Sequence, residues 1–97
     1  MIAPTHFEWD GGKAGANLSK HGIAFEEAKA VFLDPARIEI SAARVEDAED
    51  RLKIIGLIQR RLFTVVFVMR GTVCRIISAR RSNHREEHVY ADRHLDT

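Results

Sequence analysis

Cysteine, proline and net charge are all scarce in this sequence. Cys74 is the single cysteine among 97 residues, so no disulfide can form within the chain, which suits a reducing cytoplasm. It lies inside an apolar run, where a small core residue is a plainer expectation than a nucleophile. Only Pro4 and Pro35 represent proline, and there is no repeat, low-complexity segment or linker. The longest apolar stretch, Leu62 to Met69, is too short to span a bilayer. The N-terminus reaches Glu8, Trp9 and Asp10 without the basic and apolar regions of a signal peptide. A formal net charge of +1 excludes a polybasic, histone-like binder. One soluble, cytoplasmic domain over residues 1–97, with no membrane contact, is expected.

What charge there is lies unevenly. Residues 70–94 carry six arginines (Arg70, Arg75, Arg80, Arg81, Arg85, Arg93) against three acids (Glu86, Glu87, Asp92). Residues 46–50 hold four acids, Glu46, Asp47, Glu49 and Asp50, so the two regions nearly cancel. The basic region is built on a seam, Val73-Cys74-Arg75-Ile76-Ile77-Ser78-Ala79-Arg80-Arg81. There an apolar run of strand type ends in two adjacent arginines just before a polar, helix-like tail. Arginine stays charged and presents a planar fork of donors that matches phosphate or carboxylate. Held at the rim of a sheet, such donors suit a phosphate chain or a partner's acids. A strand followed by a solvated charged turn is the plainer account of an isolated Arg-Arg pair.

The periodicity predicts an α+β domain. Phe7-Glu8-Trp9 forms a short first strand. Asp10 caps a helix running to about Lys20, weakened by Gly11 and Gly12 and closed by Gly22. Ala14, Leu18 and His21 give that helix an apolar edge, with Lys13, Asn17 and Lys20 as the polar stripe beside it. A second helix from Phe25 to Leu33 buries Phe25, Ala28 and Phe32 and stops at Asp34-Pro35. The period then becomes extended. Strands are expected over Arg37 to Ser41, Arg51 to Gln59, Leu62 to Arg70 and the seam, with an acidic loop over residues 42–50. On the second of these strands Leu52, Ile54 and Ile58 share a face. Tight turns at Arg60-Arg61 and Gly71-Thr72 require antiparallel neighbours, and Leu62 to Arg70, apolar on both faces, is central. In the seam, Val73, Arg75 and Ile77 are placed on one face and Cys74, Ile76 and Ser78 on the other. Asn83 with Glu86 resembles a capping box that opens a last helix to about Arg93. The expected architecture is two N-terminal helices and a C-terminal helix packed with a four-stranded, mainly antiparallel sheet.

Two blocks of residues then match a known pattern. The first is Phe7-Glu8-Trp9-Asp10, Lys13, Asn17, Lys20-His21-Gly22-Ile23, Phe25-Glu26-Glu27-Ala28 and Phe32-Leu33-Asp34-Pro35. The second is Arg51, Ile55-Gly56, Leu62, Thr64-Val65-Val66-Phe67, Arg70, Arg75-Ile76-Ile77-Ser78-Ala79-Arg80-Arg81, Glu86 and Tyr90. In this collinear order, across residues 7 to 90, the chain resembles the BrnT toxin family. The resemblance implies a RelE-like fold, a ribonuclease toxin that stops translation, and RNA as substrate. It also implies a cognate BrnA-like antitoxin of ribbon-helix-helix type, the complex being bound to operator DNA. Gly11, Gly12 and Gly15 depart from the pattern, standing where better helix formers are usual.

The chemistry can be weighed on the residues themselves. Metal-free RNA cleavage needs a group to take the 2′-hydroxyl proton and cations to hold the phosphorane charge. It also needs a group to protonate the leaving 5′-oxygen. Arg80 and Arg81 are the catalytic candidates for the cations, with Arg70 on the neighbouring strand as a third contributor. Alternation sends Arg80 and Arg81 to opposite faces, so one of the two is expected to meet the scissile phosphate. Lys20 and His21 are the candidates for proton transfer, since imidazole works in either direction near neutral pH. At a helix end His21 equally suits capping of the last carbonyls. Trp9 is placed either against an RNA base or, as is more usual for a lone Trp beside a helix start, in the core. Glu86 and Tyr90, one turn apart, can orient the arginines at the substrate, although a solvated i,i+4 pair is the plainer account. No cofactor is called for.

His84-Arg85-Glu86-Glu87-His88 matches the inverted zinc-protease pattern H-x-x-E-H. A zinc peptidase also needs a third ligand and a larger scaffold, and short motifs arise freely in a tail rich in His, Glu and Arg. No metal site is expected. Two functions of different class remain: an endoribonuclease using Arg80, Arg81, Lys20 and His21, and a non-catalytic RNA- or ribosome-binding module that inhibits translation by occupancy. In either case a protein partner is expected to set acids over Arg80 and Arg81 and bases over residues 46–50.

Overall fold

The computed structural model describes residues 3–42 and 50–95. Its elements run β1 (His6–Glu8), α1 (Gly11–His21), α2 (Phe25–Ala28), a 3₁₀ turn (Lys29–Leu33), β2 (Ile38–Ser41), β3 (Leu52–Ile58), β4 (Arg61–Arg70), β5 (Val73–Arg81) and α3 (His84–Leu95). Residues 43–49, and with them most of the acidic loop on which a partner surface is expected, lie outside the described residues.

The strands form one sheet in the order β1-β5-β4-β3-β2. β2, β3, β4 and β5 are antiparallel neighbours, as their short turns demand, with β4 central. β1 lies parallel to β5, Phe7 facing Cys74. The sheet is therefore five-stranded and mixed, not four-stranded. Three residues are too few to show a period. They join the sheet because the long excursion through α1 to β4 brings β5 back beside them, which is what a parallel neighbour requires.

Helix α1 forms despite its glycines. Asp10, in extended conformation, accepts the Lys13 N–H at 2.9 Å, and Gly22 closes the helix at φ 71°, its N–H bonding the Leu18 carbonyl. The helix is rotated from the expected setting. Asn17 is buried, whereas Leu18, expected on the apolar edge, is 49% exposed. The cause is that α1 lies along the edge of β5, where backbone groups need polar partners more than apolar cover.

A bulge bends β5. Val66 pairs with Ser78 and Phe67 with Ile76, leaving Ile77 as the extra residue. Cys74, Ile76 and Ala79 thus all reach the main core, and Ser78 turns to the opposite face from the one that strict alternation assigns. That core gathers Phe25, Ala28, Val31 and Phe32 against Ile54, Val65 and Phe67. Its rings meet edge-on, Phe7 to Phe32 at 5.3 Å and Phe32 to Phe67 at 5.1 Å. The other face carries Lys53, Ile55, Thr64, Val68 and Arg80, and α3 reaches it through Glu86. Of the α3 side chains from His84 to Arg93, only Glu86 is buried and Tyr90 half-buried. This helix is docked by polar contacts. Among the described residues, no helix is long and apolar enough to cross a membrane.

Candidate active site

Asn83 and Glu86 cap α3 reciprocally. Asn83 Oδ1 accepts the Glu86 N–H at 2.9 Å, and Glu86 Oε1 accepts the Asn83 N–H at 3.0 Å. The cap turns the Glu86 carboxylate inward over the sheet, where only 3% of its side chain is exposed. There it receives Arg80 end-on, Nη1 at 2.7 Å and Nη2 at 2.9 Å, together with Lys53 Nζ at 2.9 Å and Thr64 Oγ1 at 3.0 Å. Because Thr64 spends its one hydrogen on Glu86, the Ser82 hydroxyl at 2.8 Å donates to Thr64. Five donors thus converge on one carboxylate.

Burial alone raises the Glu86 carboxyl, but the bonds from Arg80, Asn83, Lys53 and Thr64 outweigh it and hold the group well below the usual carboxylate range. The hydrogen bond to Glu86 raises Arg80 in turn. Both ions are therefore fixed.

The geometry leaves two donors of Arg80 in hand. Of its five N–H donors, two go to Glu86 and a second Nη1 hydrogen goes to the Arg81 carbonyl at 3.2 Å. Nε–H and the second Nη2–H, a side-on fork, have no hydrogen-bond partner among the described residues. The side chain is 33% exposed, and that of Lys53 is 25% exposed. Two cations against one carboxylate leave a local excess of positive charge, pre-positioned for a phosphate.

Arg81 emerges on the other face. It is exposed, and its guanidinium lies 5.7 Å from the centroid of the Phe63 ring. Arg70 is not brought to this place. The hairpin register sets Arg80 against Thr64 and Arg70 against Val73, so Arg70 stands about 20 Å away along β4. The tight turn at Gly71-Thr72 sets Arg70 at the opposite end of the hairpin from Arg80. Arg75 is held by Glu8 at 3.6 Å.

Lys20 and His21 line a shallow pocket of about 240 Å³ with Lys13, Asn17, Ile77 and Ser78. Ser78 lies two residues before Arg80 on the same face, so Lys20 and His21 flank the Arg80 side of β5. Trp9 is half-buried and meets Phe25 edge-on at 5.9 Å, at the margin of the core. Tyr90 is not part of a solvated pair with Glu86. Its hydroxyl donates to Asp34 Oδ2 at 2.8 Å, and the phenol is pushed up to about 12 by burial and by that carboxylate. Asp34 Oδ2 also accepts the Leu57 N–H at 2.9 Å, so Tyr90 ties α3 to the turn before β2. His84 is fully exposed, 3.5 Å from Glu87, and no three His, Cys, Asp or Glu converge among the described residues. Burial pushes the Cys74 thiol up to about 12, which leaves it unreactive.

Sequence reasoning missed Lys53, Thr64 and Asn17. Lys53 carried a signal: a lone charge on the strand face it shares with Ile55, in a strand otherwise apolar. Thr64 carried none.

Comparison with curated proteins found no match. A family model does match, over residues 9–86, a span that takes in Asn17, Lys53, Thr64, Arg80, Arg81 and Glu86. Its description is a ribonuclease toxin, BrnT, of type II toxin-antitoxin systems. Matched over most of its length, the chain belongs to the BrnT family of ribonuclease toxins.

Proposed function

We propose that this toxin arrests translation by cutting RNA through attack of a 2′-hydroxyl on the adjacent phosphorus, without a metal, and that Arg80 is the principal phosphate ligand. The observation that carries this reading is the side-on fork of Arg80, left open while Glu86 fixes the other edge. Charge that grows on the non-bridging oxygens then meets donors already oriented, with Lys53 as a second cation. Glu86 touches no substrate in this scheme and acts as a positioning residue. Lys20 and His21, along the edge of β5, take the 2′-hydroxyl proton and return one to the 5′-oxygen. Arg81 holds a neighbouring phosphate.

Membership of the family supports the remaining parts of the reading. The fold is RelE-like, the whole chain forms one toxin domain, and the protein works in the cytoplasm. A BrnA-like ribbon-helix-helix antitoxin covers the cations, and the complex sits on operator DNA. Product analysis tests the chemistry: purified chain with end-labelled RNA is expected to leave a 2′,3′-cyclic phosphate and a 5′-hydroxyl, equally with and without chelator. A 3′-hydroxyl product, or activity abolished by chelator, contradicts it.

A further inference from the structure

We propose that the cleft between the C-terminal end of α1 and the β3–β4 hairpin is a nucleobase subsite that receives a guanine next to the cleaved phosphate. It rests on the reading of Arg80 as phosphate ligand and adds a base specificity to it. The cleft encloses about 340 Å³ and is lined by Ile23, Glu27, Ile58, Gln59, Arg61 and Phe63. That is room for a base in a small-ligand site.

Its position follows from the end of β5. Arg80 and Arg81 are consecutive and face opposite sides of the sheet, Arg81 lying 5.7 Å from the ring centroid of Phe63, which lines the cleft. A single strand that sets one phosphate on Arg80 and crosses the sheet end brings its next phosphate to Arg81 and a base to Phe63. Phosphate contacts then position the strand, and the base contact specifies it.

The lining suits one base better than the others. The half-buried Ile58 and Phe63 give a limited apolar edge against which a base can rest, with Ile23 beneath them in the core. Glu27 adds acceptors. Its Oε1 makes only a long 3.4 Å contact to the Ala24 N–H, and it has no ion pair among the described residues. Guanine alone offers two adjacent donors, N1–H and N2–H₂, to a carboxylate, and its O6 and N7 suit a guanidinium such as Arg61. The hairpin tip supports a role here. Gln59 and Arg60 stand at φ 49° and 70°, two successive non-glycine residues in a turn that ordinarily takes Asn, Asp or Gly. Such strain is typical of a ligand clamp, and this turn delivers Gln59 and Arg61 to the cleft.

The test separates base choice from turnover. Cut sites are mapped on an RNA containing every dinucleotide step, using the full chain and its Glu27→Gln and Phe63→Leu variants. The parent is expected to favour sites beside guanine. Glu27→Gln is expected to lose that preference by about 10- to 100-fold while still cutting elsewhere, because Gln keeps the helix-start contact but presents an NH₂ to the guanine donors. In parallel, guanosine and adenosine monophosphates are titrated into the folded Arg80→Ala protein and followed by amide NMR. Shifts at Gln59, Arg61 and Phe63 for the guanosine nucleotide alone support the subsite. An unchanged cut pattern in Glu27→Gln, with no shift from either nucleotide, overturns it and leaves the ribonuclease reading intact. Guanosine-specific shifts at the cleft in a protein whose cleavage does not depend on Arg80 uphold the subsite and overturn the role given to Arg80.

Discussion

The amide of Asn17 on α1 closes a two-bond ring on Ala79 of β5: Nδ2 donates to the carbonyl at 2.9 Å and Oδ1 accepts the N–H at 3.0 Å. β1 covers β5 only as far as Arg75, so the side chain stands in for a strand residue on the uncovered edge. It fixes the backbone one residue before Arg80. Asn17→Ala removes the partner of three buried backbone groups, the Ala79 N–H and carbonyl and the Ile23 carbonyl that Nδ2 also reaches at 3.2 Å, and is expected to destabilise the fold by about 2 to 4 kcal/mol. Urea denaturation measures this, and a loss below about 0.5 kcal/mol, the size of an ordinary surface change, would remove Asn17 from the account.

Glu86 makes stability depend on acid in a definite direction. Its folded-state pKa lies below the unfolded value of about 4.3, so the carboxylate contributes fully above about pH 5. The contribution is lost as pH falls toward the folded value, because over that interval the unfolded chain binds more protons. Glu86→Gln breaks a buried ion cluster and is expected to cost about 3 kcal/mol at neutral pH. It should also flatten the acid limb of the stability curve. Equal slopes for parent and variant between about pH 5 and pH 3 would show that Glu86 is not the group that titrates.

Much of this was legible in the sequence, and the failures have physical causes. Helix caps at Asp10, Gly22 and Asn83, the antiparallel run from β2 to β5 and the central place of β4 all follow from local chemistry. The Arg80 and Arg81 division between faces follows from period two at the strand end, beyond the bulge. What could not be seen is non-local. The Ile77 bulge, the parallel seat of β1 and the inward turn of Asn17 each depend on register or on a partner element, whereas the distance from Arg70 to Arg80 was already set by the tight turn at Gly71-Thr72. A buried carboxylate that gathers Lys53, Thr64 and Arg80 from three strands is of the same kind.

Gly56 shows how closely the 3₁₀ turn lies on β3. A Cβ there would stand 2.8 Å from the Val31 carbonyl oxygen and 3.1 Å from Val31 Cβ. Gly56→Ala is therefore expected to destabilise by about 1 to 3 kcal/mol through overpacking, with Arg80 chemistry unaltered in whatever fraction stays folded. A variant as stable as the parent would mean that the turn lifts from the sheet at little cost.

Tyr90 is a tie between α3 and Asp34. Its folded-state pKa is raised, so the neutral phenol contributes below about pH 10, and the contribution fades as pH climbs toward about 12. Absorbance titration should show a midpoint near the upper value in the folded protein and near the lower one in urea. Tyr90→Phe is expected to cost about 1 kcal/mol and to cleave RNA at close to the parent rate. A large loss of cleavage in a stable Tyr90→Phe protein would instead place the hydroxyl on the substrate.

The most direct test is the single-turnover rate at which folded Arg80→Ala and Arg80→Lys proteins cut a labelled RNA. Losing a charge-assisted contact made in the transition state should slow Arg80→Ala by about 30- to 1000-fold. Arg80→Lys should recover little, since an ammonium cannot serve Glu86 with one edge and phosphate with the other. A folded Arg80→Ala protein that cuts RNA as fast as the parent would contradict the account.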